Sequence, residues 1–176
     1  MIQSHQDAVS YMPLLQTLIG GLLTFLGGLS ATYLIQRSQR KADRQNLASA
    51  FYGEVSALLA IIEKRGYLES IEHDLEHMAR TGQISLTHFK VSRSYFNVYE
   101  QNVGKIGLLP APLPEKIVSF YTFVFAALED FQDIGEGKFQ HCAVSEVKEM
   151  LEELLDISKN VLILGKQIQN LIKPTQ

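Results

Sequence analysis

His73, Glu76 and His77 lie in HDLEH, residues 73–77, the one spacing in the chain with the look of a metal site. Two histidines four apart share a helix face, and the H-x-x-E-H order is one in which the histidines hold zinc and the glutamate activates water. A catalytic zinc needs a third protein ligand and an open position for water. Asp130, His141 or Cys142 would serve only if the fold carried them to the pair. The plainer reading is a solvated helix face made by Glu69, Glu72, Asp74, Glu76 and His77. Five-residue motifs recur by chance, so the plainer reading is preferred and neither metal nor cofactor is expected.

Other chemistry is thinner still. Gly135-Glu136-Gly137-Lys138 lacks the spacing and the following Ser or Thr of a phosphate loop, and no nucleophile elbow is present. Asn97, Tyr99, Glu100 and Asn102 put polar groups on an otherwise apolar helix. Buried polar groups are normally hydrogen-bonded, so a structural cluster is preferred here over a ligand site. Cys142 is the only cysteine, which precludes an intramolecular disulfide and suits a reducing compartment. The net charge is -3, with no dense basic stretch after residue 45. Nucleic acid usually demands a basic face, so it is disfavoured as a ligand. No catalytic residues are assigned, and the chain is read as a non-enzyme.

The strongest signal concerns location. Residues 12–35, MPLLQTLIGGLLTFLGGLSATYLI, run for 24 positions without a charge. A bilayer-spanning helix needs roughly 20 apolar residues, so a transmembrane helix is expected over 12–36, after an N-terminal flank 1–11 and before a basic flank 37–46. On a wheel of about 100° per residue, Gln16, Thr17, Gly20, Gly21, Thr24, Gly27, Gly28, Ala31 and Thr32 fill one arc of about 160°. Leu15, Leu18, Ile19, Leu22, Leu23, Phe25, Leu26, Leu29 and Tyr33 fill the other, with Ser30 the exception among them. Small residues let membrane helices approach closely. The arc Gln16, Thr17, Gly20, Thr24, Gly27, Gly28, Ala31, Thr32 is therefore the expected oligomerisation face, either as a tight dimer seam or as the lining of a ring of helices around a pore; the plainer alternative is a helix made flexible by its glycines. The N-terminal end carries Asp7 and no Lys or Arg, and the run exceeds a signal-peptide core of about 7 to 15 residues; cleavage is not expected. Arg37, Arg40, Lys41 and Arg44 follow the run and nothing basic precedes it. Positive flanks stay cytoplasmic, which puts the C-terminal domain, residues 47–176, in the cytoplasm of a cell with the span in its inner membrane.

The elements that must support such a site are helices. Leu47, Phe51, Val55, Leu58 and Ile62 recur at three and four, and Leu68, Ile71, Leu75 and Met78 continue the series. No proline interrupts residues 14–109, so one helix is expected to run from the span to near Gly82, with Gly53 and Gly66 as its weak points. Residues 83–92 read as a loop or short extended piece. SYFNVYEQNVGKIGLL, residues 94–109, reads as a second helix with Tyr95, Phe96, Tyr99, Val103 and Ile106 inside, stopped by the prolines of 110–114. A third helix, from about Glu115 to Ile134, carries Ile117, Phe120, Phe123, Val124, Leu128 and Phe131, and ends at the glycines of 135–138. A last helix, Ser145 to Ile172, carries Val147, Leu151, Leu154, Leu155, Leu162 and Ile168, with Pro174 beyond it. The expected fold is all-α: a transmembrane helix followed by a cytoplasmic four-helix bundle.

The stretch Phe96-Asn97-Val98-Tyr99-Glu100-Gln101-Asn102 through Lys105-Ile106-Gly107-Leu108-Leu109-Pro110, then Ile117-Val118-Ser119-Phe120-Tyr121, resembles a pattern in small bacterial proteins with one N-terminal membrane helix. The layout is similar to the membrane accessory protein of type VI-B CRISPR defence. That resemblance implies a HEPN-type helical domain and a membrane pore that strengthens antiviral immunity. The HEPN ribonuclease signature, Arg then four to six residues then His, is not met: Arg65 to His73 and Arg80 to His88 each have seven residues between. No catalytic residue is carried over.

Together these features describe a single-pass membrane protein that self-associates, with the lipid bilayer and further copies of itself as partners and a conduit or membrane-perturbing effector role. The rivals are a membrane-tethered hydrolase, zinc-dependent or a divergent nuclease, and an adaptor for a cytosolic protein partner.

Overall fold

A computed structural model of the chain describes residues 3–89 and 95–172, with side chains described from residue 15. Pro174, residues 90–94 of the expected loop and second helix, and the side chains of residues 12–14 lie outside the described residues. The described residues form helices and connecting turns, with no strand among them. The helices are α1 (Gln3–Arg65), α2 (Tyr67–Thr81), α3 (Asn97–Asn102), a 3-10 helix (Val103–Leu108), α4 (Leu113–Gly135) and α5 (Val144–Ile172). The chain divides into two units, Met1–Gln45 and Asn46–Gln176.

The first unit is helix alone. Every described residue from 15 to 45 is exposed, with Leu18 at 73% and Leu23 at 65%. By length and composition this helix can cross a membrane.

The second unit buries its apolar stripes in two clusters. Leu47, Phe51, Val55, Leu58 and Leu59 of α1 join Phe96, Ile106, Leu109, residues of α4 from Leu113 to Leu128, and Val161 and Ile168 of α5. Tyr67, Ile71 and Met78 of α2 join Ala127, Phe131 and Ile134 of α4 and Val147, Leu151 and Leu154 of α5. Helices α4 and α5 serve both clusters, as their stripes at three and four require. Close approach of α5 to α1 depends on Gly165: a Cβ there would sit 2.7 Å from Cδ2 of the buried Leu59. The amide of Gln169 also donates to the Ser56 hydroxyl at 2.8 Å.

Three local features depart from the expected helices. First, the long helix breaks at Gly66, which adopts φ 61°, a conformation that glycine takes without a Cβ clash. Its carbonyl then accepts from the Ser70 amide at 3.0 Å and the Ser70 hydroxyl at 2.8 Å, starting α2. Gly53 stays helical. Second, the 94–109 helix is only six residues of α-helix before it tightens to 3-10 geometry. Gly104 and Gly107 remove the side chains and helix propensity that would have extended it. Tyr95 and Val103 are consequently exposed, at 39% and 54%, while Phe96 and Ile106 are buried. Third, Asp74 is not on a solvated face: it is 3% exposed.

The other boundaries follow their capping chemistry. Leu113 and Pro114 open α4, proline being tolerated where the amide needs no helical partner. At the start of α5 the Glu146 carboxylate reaches back to the Ala143 amide at 3.1 Å, the return half of a capping box. Gly82 ends α2 with φ 67° and donates to the Met78 carbonyl at 2.9 Å.

Candidate functional site

The expected assembly face lies on one helix, fully exposed. At Gly20, Gly21, Gly27 and Gly28 an added Cβ would meet nothing within 4 Å. Within a single chain, then, no packing accounts for these glycines. The hydroxyls of Thr24 and Thr32 donate to the carbonyls of Gly20 and Gly28 at 2.8 and 2.9 Å, and Ser30 donates to Leu26 at 2.8 Å. Each donor is satisfied inside its own helix, so these polar residues can enter an apolar medium without an orphaned hydrogen. Their oxygens keep a free lone pair. Gln16, Thr17 and Ala31 share the same exposed arc.

In the second unit the polar centre is Glu54, which the sequence reading overlooked. Its carboxylate accepts from the Val98 amide at 2.6 Å, the Tyr99 amide at 3.1 Å and the Tyr121 hydroxyl at 2.5 Å. A side chain on α1 thereby caps the first turn of α3, where amides have no helical partner. Burial, then the Glu54 hydrogen bond, raises the Tyr121 phenol far above the usual tyrosine value; it remains a neutral donor. Tyr99 stacks on Tyr121 with ring centres 4.0 Å apart, and Phe96 meets Tyr121 edge-on at 6.3 Å. Asn102 donates to the Val98 carbonyl at 2.9 Å. Asn97 and Glu100 are exposed. Phe96, Tyr99, Ile106, Leu109, Ile117, Phe120 and Tyr121, which carry the resemblance described above, are thus explained by packing and capping.

Asp74 does the same work at the other end. It accepts from the Ser85 hydroxyl at 2.8 Å and the Thr87 amide at 2.6 Å, tying the segment after α2 back onto that helix. Both carboxylates fall on apolar stripes, Glu54 within 47–51–58 and Asp74 within 67–71–78. A charged residue at helical register with buried neighbours was the available signal.

The candidate zinc ligands do not converge. His73 is exposed, His77 half-buried and His141 exposed. The Cys142 thiol is directed to the Lys138 carbonyl at 3.9 Å. Among the described residues no three His, Cys, Asp or Glu side chains come together to hold a metal ion. Arg65, whose spacing to His73 misses the HEPN signature, donates to the Tyr67 hydroxyl at 2.9 Å, which raises its pKa further.

A cavity of about 80 Å³ lies where the two core clusters meet. Leu58, Ile62, Tyr67, Phe96, Phe131 and Ser158 line it, among others. Its lining has no carboxylate, histidine or cysteine, so it offers no acid, base or nucleophile stronger than a hydroxyl. Comparison of the chain with protein-family models, with curated proteins and with solved structures finds no match.

Proposed function

We propose that the chain is a single-pass protein of the inner membrane, with residues 12–36 across the bilayer and a cytoplasmic four-helix bundle behind it, and that copies assemble through the small-residue arc into a membrane conduit. The observation that carries this is the sorting of one exposed helix into two faces. Leu15, Leu18, Leu22, Leu23, Leu26 and Leu29, 51–73% exposed, occupy one side, and Leu34 and Ile35 at the end of the run depart from the sorting. Glycines with open space above them and internally bonded threonines occupy the other. Apolar area of that extent demands cover by lipid or protein, and small residues are where membrane helices meet. An arc of about 160° is wider than the seam of two helices, which favours a ring over a dimer. The resemblance to the CRISPR accessory protein supplies the biological setting, an effector that permeabilises membranes during antiviral defence.

The test replaces Gly20 or Gly28 with Leu and uses Leu22→Ala as control. Crosslinking and native mass in detergent are expected to show smaller species for the glycine variants and wild-type assemblies for the control. Leakage from liposomes should disappear with assembly. A wild-type chain that stays monomeric in bilayers would overturn the assembly and the conduit together.

A further inference from the structure

Arg37, Arg40, Lys41 and Arg44 are spaced by three, one and three along α1. At about 100° per residue they fill one arc of about 100°. The centre of that arc falls within about 30° of the leucine face and about 150° from the centre of the Gly/Thr face. All four are exposed, and among the described residues none is held in an ion pair. At about 1.5 Å per residue, Arg37 lies roughly 3 Å past Ile35 and Arg44 roughly 14 Å past it. Headgroups occupy the first several ångströms beyond the hydrocarbon, and the surface potential reaches about a Debye length of 8 Å further.

We infer that this stripe binds the phosphates of anionic lipid headgroups, and that its sidedness is what makes it do so. The inference rests on the membrane reading above. When the Gly/Thr face meets neighbouring copies, the leucine face meets acyl chains, and the four cations stand directly above those chains. Guanidinium forks match phosphate oxygens in a bidentate way that a diffuse surface charge does not. The same phase keeps positive charge away from the helix–helix contact, where like charges from several copies would otherwise crowd together. Each basic residue near an anionic surface strengthens binding roughly fivefold.

The experiment uses the full chain in vesicles of phosphatidylcholine mixed with phosphatidylglycerol. The readout is the ratio of the two lipids retained on extracted protein, compared with the bulk. Wild type should enrich phosphatidylglycerol severalfold. The double variant Arg40→Gln with Arg44→Ala should bring that ratio down close to the bulk value. Adding Gln39→Arg and Ala42→Arg to it restores the net charge on the opposite face and should not restore the enrichment. Full recovery in that relocated variant would show that charge number matters and sidedness does not, which overturns the inference. So would enrichment erased by inorganic phosphate at constant ionic strength, which would make free phosphate the ligand. Inserted, assembled wild-type protein with bulk lipid ratios overturns this inference and leaves the membrane reading standing. Protein that washes off with carbonate overturns both.

Discussion

Residues 15–35 and residues 46–172 are both rich in apolar side chains, and they use them in opposite ways. In the first, Leu18 and Phe25 are 73% and 63% exposed; in the second, Ile117 and Phe120 are 0% exposed. The difference is one of arrangement. In the second region apolar residues recur at three and four with polar residues between, so each helix has one face to bury. In the first, large apolar side chains cover nearly half the circumference, small residues most of the rest, and no charge interrupts them, so no single protein neighbour could cover the helix. The consequence is energetic: side chains in the second region stabilise the domain, whereas those described in the first are exposed within the chain and, on the function proposed above, act through lipid or another copy.

The largest test of that contrast truncates a large apolar side chain in each region. Phe120→Ala should lower the stability of the helical domain by about 3 to 5 kcal/mol, the transfer and cavity cost of a buried aromatic. Leu22→Ala should leave thermal unfolding of the domain, followed by circular dichroism in detergent, unchanged. Equal losses would erase the distinction.

Glu54 offers the next largest effect. Glu54→Ala strips the partners from the Val98 and Tyr99 amides and from the buried Tyr121 hydroxyl, an expected cost of about 3 kcal/mol. Tyr121→Phe removes one of the three bonds and leaves the other two, so about 1 kcal/mol is expected. Denaturant titration of both variants decides it. A larger loss for Tyr121→Phe than for Glu54→Ala would show that the carboxylate is not the hub.

Glycine sharpens the comparison further, because the same change tests both regions. At Gly165 an added methyl would meet Leu59 at 2.7 and 2.9 Å. Gly165→Ala should therefore cost about 1 to 2 kcal/mol, overpacking set against better helix propensity. At Gly28 there is open space, and Gly28→Ala should leave domain unfolding untouched. Its effect should be read in the mass of the assembly alone. A destabilised domain from Gly28→Ala, or a neutral Gly165→Ala, would break the assignment.

These residues also show what could be read in advance. Stripes such as Phe51–Val55–Leu58 and Val147–Leu151–Leu154 were visible because a buried helix face repeats in register, and all six are buried. The break at Gly66 was foreseen only as a weak point. Whether a glycine bends a helix depends on what the following turn can pack against, and Gly53 next to Val55 stayed helical. The two carboxylates were missed for one reason. Glu54 and Asp74 hold segments 44 and 45, and 11 and 13, positions further along the chain. Their register on apolar stripes signals burial, but no local pattern names a partner at that distance. The short α3 was overextended because its apolar spacing continued through Gly104 and Gly107, whose missing side chains matter more than the spacing of their neighbours.

The smallest expected effect concerns a charge inside the second region. Partial burial raises the pKa of Asp130 above the usual carboxylate range, and Glu153, Asp133 and Glu129 push it in the same direction. The fold therefore disfavours the ionised form, and unfolding releases the proton more readily at pH values between the ordinary and the raised pKa. Stability lost to Asp130 is absent at low pH, grows as pH rises through that window, and is fully present at neutrality. Asp130→Asn should accordingly stabilise the domain at neutral pH, by at most about 0.5 kcal/mol once solvent screening of a part-exposed group is allowed for. The gain should shrink as pH falls into the ordinary carboxylate range. It should also shrink in high salt, because part of it is repulsion from three neighbouring carboxylates. Thermal unfolding of wild type and variant across that pH range tests the sign. A variant less stable than wild type at neutrality would show that Asp130 is ionised and favourably placed, contrary to the cost that burial and its acidic neighbours impose.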